Sequence, residues 1–177
     1  MLSTFTRASE VVEYLGLERL PDNAGWFKLI CHDVTKQCTD CERPCRHANS
    51  TTIFYLFEKD TDNRWYRIDA TMIWNFLAGD PLAFSTYCYD NVFKNHVLGK
   101  DFAAGQRPLI LTPPRDWRIL SCLGQWSLAS CICTPGFEIE QLEIAPKDWV
   151  PDMAGPGPKS PIAPANSSST ILRPATS

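Results

Sequence analysis

The sequence lacks most of the patterns that announce a protein's chemistry. It has no glycine-rich dinucleotide fingerprint, no P-loop, no GxSxG nucleophile turn and no HExxH helix. Those absences remove the commonest routes to nucleotide binding, acyl-enzyme formation and zinc hydrolysis. No apolar run approaches the roughly 20 residues of a membrane helix. Lys and Arg do not cluster and the formal net charge is −3, whereas phosphate recognition relies on concentrated positive charge. Neither nucleic acid nor a membrane is therefore an expected partner. The opening "MLSTFTRASEVVEYLGLERL" lacks the basic, apolar and small-residue segments of a secretory signal, so a cytoplasmic location is expected. No pair of carboxylates stands out for acid–base work, and histidine is scarce, at three residues.

Cysteine is not scarce. Eight in 177 residues would suit a disulfide scaffold outside the cell; in a reducing compartment they are expected as free thiols. Four of them, Cys31, Cys38, Cys41 and Cys45, fall in one segment, "CHDVTKQCTDCERPCRHANS". Its C-x2-C-x3-C-x-H core gives Cys38, Cys41, Cys45 and His47 the spacing and softness of zinc ligands. Three readings stand for it: a zinc site, a disulfide, or free thiols. Cys88, Cys122, Cys131 and Cys133 lie within strand patterns, where a thiol packs as a small apolar side chain.

With 44% hydrophobic residues the chain can build one sizeable core. It divides into an N-terminal helix with its lead-in loop (1–24), a β domain (25–150) containing the Cys-rich loop 31–50, and a Pro/Ser-rich tail (151–177) whose composition predicts disorder. The helix is read from "TRASEVVEYLGLERLP": Thr6 as N-cap, Val11, Val12 and Leu15 on one face, Gly16 as the left-handed stop and Pro21 against resumption. After it come nine strand-like segments rich in β-branched and aromatic residues, most separated by Gly, Pro, Asp or Asn. Many short strands at regular spacing predict a sandwich or small barrel, with the helix covering one end.

Three blocks then resemble a known family. "WYRIDATMIWNFLAGDPL" (65–82) keeps the frame of W-H-R-V-D-x-D-E-I-W-H-F-x-x-G-D-P-L. "LGKDFAAGQRPLILTPPRDW" (98–117) and "WSLASCICTPGFEIEQLEI" (126–144) are similar to the two blocks that follow it in small RmlC-like cupins, a cupin-like domain of unknown function. The resemblance spans about residues 8–145. It implies a mostly β cupin double-stranded β-helix, a jelly-roll barrel with an N-terminal helix, forming a homodimer with a pocket at one end of the barrel.

Where that family offers His, Glu and His to a metal, this chain has Tyr66, Met72 and Asn75. A phenol, a thioether and a carboxamide make a poor donor set for a divalent transition metal. No metal at the family position and no cofactor are therefore expected. Alternation places Tyr66 and Ile68 inward, with Trp65 and Arg67 outward, and places Asn75 inward with Ile73 and Leu77. On this reading Tyr66 donates a proton or hydrogen bond, and Asn75 and Arg118 hold developing negative charge. Tyr55, Met72, Trp117 and Cys131 form the substrate-binding walls. The function expected is a metal-independent isomerase or cyclase of small-molecule metabolism; the alternative is a non-catalytic small-molecule-binding or structural cupin.

Overall fold

The structure, a computed structural model, describes residues 5–34, 48–88 and 92–151. The zinc ligands considered above, Cys38, Cys41, Cys45 and His47, lie outside the described residues, as does the tail beyond Pro151. Cys31 is a free, exposed thiol.

Helix α1 (Ala8–Leu15) ends on Gly16 in the left-handed conformation, as its sequence predicts. Its start differs from the expectation by one residue. Arg7, not Thr6, is the N-cap, and the Glu10 carboxylate accepts the backbone N–H of both. A carboxylate three positions into a helix can satisfy orphan donors there without a capping hydroxyl.

Eleven strands follow, among the described residues: β1 (Glu18–Arg19), β2 (Trp26–Val34), β3 (Ala48–Glu58), β4 (Tyr66–Arg67), β5 (Thr71–Gly79), β6 (Leu82–Tyr87), β7 (Phe93–Leu98), β8 (Leu109–Thr112), β9 (Trp117–Cys122), β10 (Trp126–Thr134) and β11 (Glu143–Ile144). They form two antiparallel sheets, ordered β1-β2-β3-β10-β5-β8 and β11-β4-β9-β6-β7. The sheets face each other without closing into a barrel among the described residues, although an isolated bridge links Leu98 at the end of β7 to Arg107 just before β8. The turn between β5 and β6 needs Gly79, whose φ of +86° few other residues adopt, and the Asp80 carboxylate in that turn accepts the N–H of Gln125, in the β9–β10 turn, at 2.6 Å.

Both sheets bury their inner faces in one core. Phe57, Met72, Trp74, Ile110, Ala129, Cys131 and Cys133 enter it from the larger sheet, and Leu82, Phe84, Leu98 and Leu120 from the smaller. The helix does not cover an end. It lies on the outer face of the larger sheet, where Val11, Leu17, Leu56, Ala78, Trp126 and Leu128 pack together. The sequence of β3 carries the reason: Phe54 and Leu56 alternate with Tyr55 and Phe57, so both faces are apolar and the outer one needs a cover. Burying Val11 completely contributes about 2 kcal/mol to that contact. A third cluster, Trp65, Tyr87, Trp117 and Ala145 with Trp149 against it, covers the outer face of the smaller sheet.

Strand β5 corrects the expected alternation. Met72 and Trp74 face the core, with Phe76 packed against it, so Asn75 points away with Ile73. The β5–β10 register shifts at Leu128/Ala129, where Ala129 opposes Phe76 and Leu128 opposes Ala78. Leu77 is the extra residue of this bulge. It turns Ala78 outward to lie beneath the helix. A change of one residue in parity exchanges every side chain between faces.

Candidate functional site

The chemistry-bearing side chains of the interior gather around Arg118. This residue comes from β9, where Arg118, Leu120 and Cys122 face inward while Trp117 and Ile119 face outward. Its side chain has no solvent exposure. The guanidinium donates from Nε and Nη2 to the Asp116 carbonyl (3.2 and 2.9 Å), from Nη2 to the Pro113 carbonyl (3.2 Å) and from Nη1 to Thr112 Oγ1 (2.8 Å). The corner "TPPRDW" thus curls around the head group of the arginine that follows it. Thr112 in turn donates to the Met72 carbonyl at 3.5 Å, which ties the corner to β5.

Tyr66 of β4 is the ladder partner of Arg118, and the guanidinium carbon stands 5.7 Å from its ring centre. Tyr66 and Ile68 face the core, while Trp65 lies in the outer aromatic cluster, as alternation predicts. Desolvation raises the Tyr66 phenol well above its ordinary value, with the Arg118 charge pulling the other way. The phenol is therefore a neutral donor throughout the physiological range, and no described residue hydrogen-bonds its hydroxyl.

The buried thiols of Cys131 and Cys133 both lie on the inner face of β10. Burial pushes the Cys131 thiol up. Met72 is 6% exposed in the same core. Tyr55 packs against that core, stacked on Phe57 at 4.3 Å, and its hydroxyl donates to the Ala24 carbonyl. Burial raises this phenol too, above the ordinary tyrosine range. The structure therefore brings Tyr66, Arg118, Tyr55, Met72 and Cys131 to one interior.

Two expected members are elsewhere. Asn75, on the outer face of β5, donates to Ser130 Oγ on the neighbouring strand at 3.3 Å. Trp117 lies outside the smaller sheet, 4.6 Å from the Trp149 ring and 4.7 Å from the Arg67 guanidinium, which itself pairs with Glu143 at 2.6 Å. The C-terminal segment that brings Trp149 and Glu143 is what makes this outer face apolar enough to bury a tryptophan. Sequence reasoning missed Thr112 and Trp74. The signal for Trp74 was present, because in β5 it shares parity with Met72.

The family's metal positions do not fit a metal here. Tyr66 and Met72 face inward and Asn75 outward, so the three side chains do not converge, and the inward pair offers a neutral phenol and a thioether. Among the described residues no three His, Cys, Asp or Glu side chains are grouped to hold an ion. What the interior offers is charge and hydrogen-bond donors. The guanidinium is permanently cationic, and among the described residues no carboxylate lies within ion-pair distance of it.

Among the described residues no helix is long and apolar enough to cross a membrane. Comparison with curated proteins found no match. Among solved structures, the chain is similar to a hypothetical protein from Leishmania major, at 22% identity over 78% of this chain and 86% of that one, with a TM-score of 0.68. It is also similar to a protein from Shewanella oneidensis, at 22% identity, 80% and 85% coverage and a TM-score of 0.65. An oxalate decarboxylase variant from Bacillus subtilis aligns at 7% identity over 75% of this chain and 31% of that one, with a TM-score of 0.53. At these identities the likeness concerns the fold alone. The family model described as Cupin superfamily (DUF985) matches residues 9–145.

Proposed function

Because the chain belongs to the cupin superfamily, in the family DUF985, we propose that its interior serves as a small-molecule site and that it works there as a metal-independent isomerase or cyclase. The observation that carries this reading is the Arg118 guanidinium, wholly buried beside Tyr66 with no carboxylate partner among the described residues. Buried charges are ordinarily paired, and one held only by neutral acceptors would be further stabilised by a negative charge placed beside it.

Isomerisation and cyclisation rearrange bonds within one molecule and need no oxidant. The step requires that a carbonyl-bearing substrate be oriented and that negative charge on its oxygen be stabilised as it develops. Arg118 supplies fixed positive charge in a water-poor setting, where one such donor typically accounts for a factor of 10²–10³ in rate. Tyr66, kept neutral by burial, donates to the same oxygen. Met72, Tyr55 and Cys131 provide the apolar surroundings. Asn75 and Trp117, on outer faces, have no part in it.

Such reactions conserve mass. The full-length protein incubated with a metabolite extract should convert at least one compound into an isomer of unchanged mass and altered chromatographic retention, and Tyr66→Phe should slow that conversion. If no conversion depends on Tyr66 or Arg118, the catalytic reading fails.

The second reading, a non-catalytic binding or structural cupin, draws support from the same arginine: its four hydrogen bonds to the 112–116 corner are what a purely structural staple would make. We also take the protein to be a homodimer. Edge strand β8 is the candidate contact, because Leu109 and Leu111 on it are 49% and 56% exposed. Sedimentation of the full chain and of Leu111→Lys tests this, with loss of the dimer expected in the variant.

A further inference from the structure

The interior holds hydrogen-bond donors that the described residues leave unused. A guanidinium has five N–H groups, and the bonds of Arg118 to Thr112, Pro113 and Asp116 engage one on Nε, one on Nη1 and two on Nη2. One hydrogen on Nη1 remains uncommitted among the described residues. A second surplus donor stands nearby. Trp74 is 2% exposed and its indole Nε1–H has no acceptor; indole cannot accept a hydrogen bond in exchange. Leaving a donor buried and unmade costs about 1–3 kcal/mol.

These two donors are neighbours in the fold. Trp74 follows Met72 by two residues on the inner face of β5, and Met72 is the ladder partner of Thr112, whose Oγ1 receives Arg118 Nη1. The surroundings are aromatic: the Tyr55 ring centre lies 6.0 Å and the Phe84 ring centre 6.3 Å from that of Trp74. Among the described residues Asp116 is the one buried acid, and its backbone carbonyl, not its carboxylate, meets Arg118. Positive charge, surplus donors and aromatic side chains together describe the complement of one kind of molecule.

We propose that the ligand of this interior is a planar organic monoanion, a carboxylate on an aromatic or polycyclic body, held by the free Nη1 hydrogen of Arg118 and read at a second oxygen by Trp74 Nε1. The proposal rests on the reading above that a small molecule enters this interior. It adds the charge of that molecule and gives Trp74 the part of a specificity-determining residue. A charge-assisted hydrogen bond to a buried guanidinium is the interaction that a neutral isostere cannot reproduce.

The test uses the ¹⁵N-labelled full chain titrated with benzoate and 2-naphthoate, then with benzamide and 2-naphthamide. The readout is the Trp74 indole N–H resonance, identified by its loss in Trp74→Phe, with the dispersed remainder of that spectrum checking the fold. A carboxylate should shift this resonance saturably and bind at least tenfold more tightly than its amide. Trp74→Phe should weaken the carboxylate about threefold to tenfold, and Arg118→Lys should weaken it while preserving some preference for the anion. Amides binding as tightly as carboxylates would overturn the anionic class and leave the interior site standing. Carboxylates that bind without moving the Trp74 resonance, and equally well in Trp74→Phe, would remove Trp74 from the site. If none of the four compounds shifts any resonance of the spectrum, the proposal and the reading beneath it fall together.

Discussion

Replacing Tyr66 with phenylalanine separates a working hydroxyl from a structural one. The substitution removes one oxygen and keeps the ring that lies 5.7 Å from the Arg118 guanidinium carbon. The cation–π contact, of order 0.5–2 kcal/mol, therefore survives. No described residue bonds the hydroxyl, so the usual loss of about 1 kcal/mol per hydrogen bond does not arise. The predicted change in stability is within about 1 kcal/mol of zero. Arg118→Met gives the contrasting case. It strips the donors from Thr112 Oγ1 and from the Pro113 and Asp116 carbonyls, each costing roughly 1–3 kcal/mol, and relieves only part of that by no longer burying a charge. Urea unfolding of the full chain measures both. With a slope of about 2 kcal/mol per molar, Tyr66→Phe should move the midpoint by less than about 0.5 M, and Arg118→Met should lower it by about 1 M or more. A midpoint for Tyr66→Phe that falls as far as that for Arg118→Met would show the hydroxyl to be a structural group and refute the role given to it.

Three further outcomes are expected. Gly79→Ala must hold a side chain at φ +86° with its Cβ 2.7 Å from the Trp126 ring, so it should destabilise by about 3 kcal/mol or more, read as a lowered urea midpoint. Thr112→Val removes the hydroxyl that receives Arg118 Nη1 and should cost about 1–3 kcal/mol by the same measurement. Desolvation first, then the nearby Arg107 and Lys94 charges, hold His96 below its ordinary 6.5, so its NMR titration should show a midpoint under that value. The unfolded chain then binds the proton more readily, so stability falls as pH drops below about 6.5 and levels off beneath the folded midpoint. His96→Gln should remove that part of the acid sensitivity.

How much of this was legible in the sequence depended on whether local rules met a competing tertiary demand. Gly16 was legible because positive φ selects glycine almost regardless of context. Tyr66 and Ile68 were placed inward correctly because Trp65 and Arg67 found partners on the outside. On β5 alternation gave the wrong parity, since Ile73 and Leu77 are as apolar as Met72 and Trp74, and a bulge at Leu77 then changes the face partway along. Trp117 was misplaced for a related reason: a distant segment ending in Trp149 buries the outer face, and no pattern within β9 reveals that. Arg118 was named as a pocket residue from the sequence, but its embrace by the 112–116 corner depends on a backbone fold that spacing alone does not specify.

The central claim is that the interior around Tyr66 and Arg118 receives an organic oxyanion. A crystal structure of the full chain grown with the tightest-binding carboxylate tests it most directly. The account predicts that carboxylate inside the fold, within hydrogen-bond distance of Arg118 Nη1 and with its ring system among Tyr55, Trp74 and Phe84. A metal ion ligated by Tyr66 and Met72, or an interior filled by side chains with the carboxylate bound elsewhere, would contradict it.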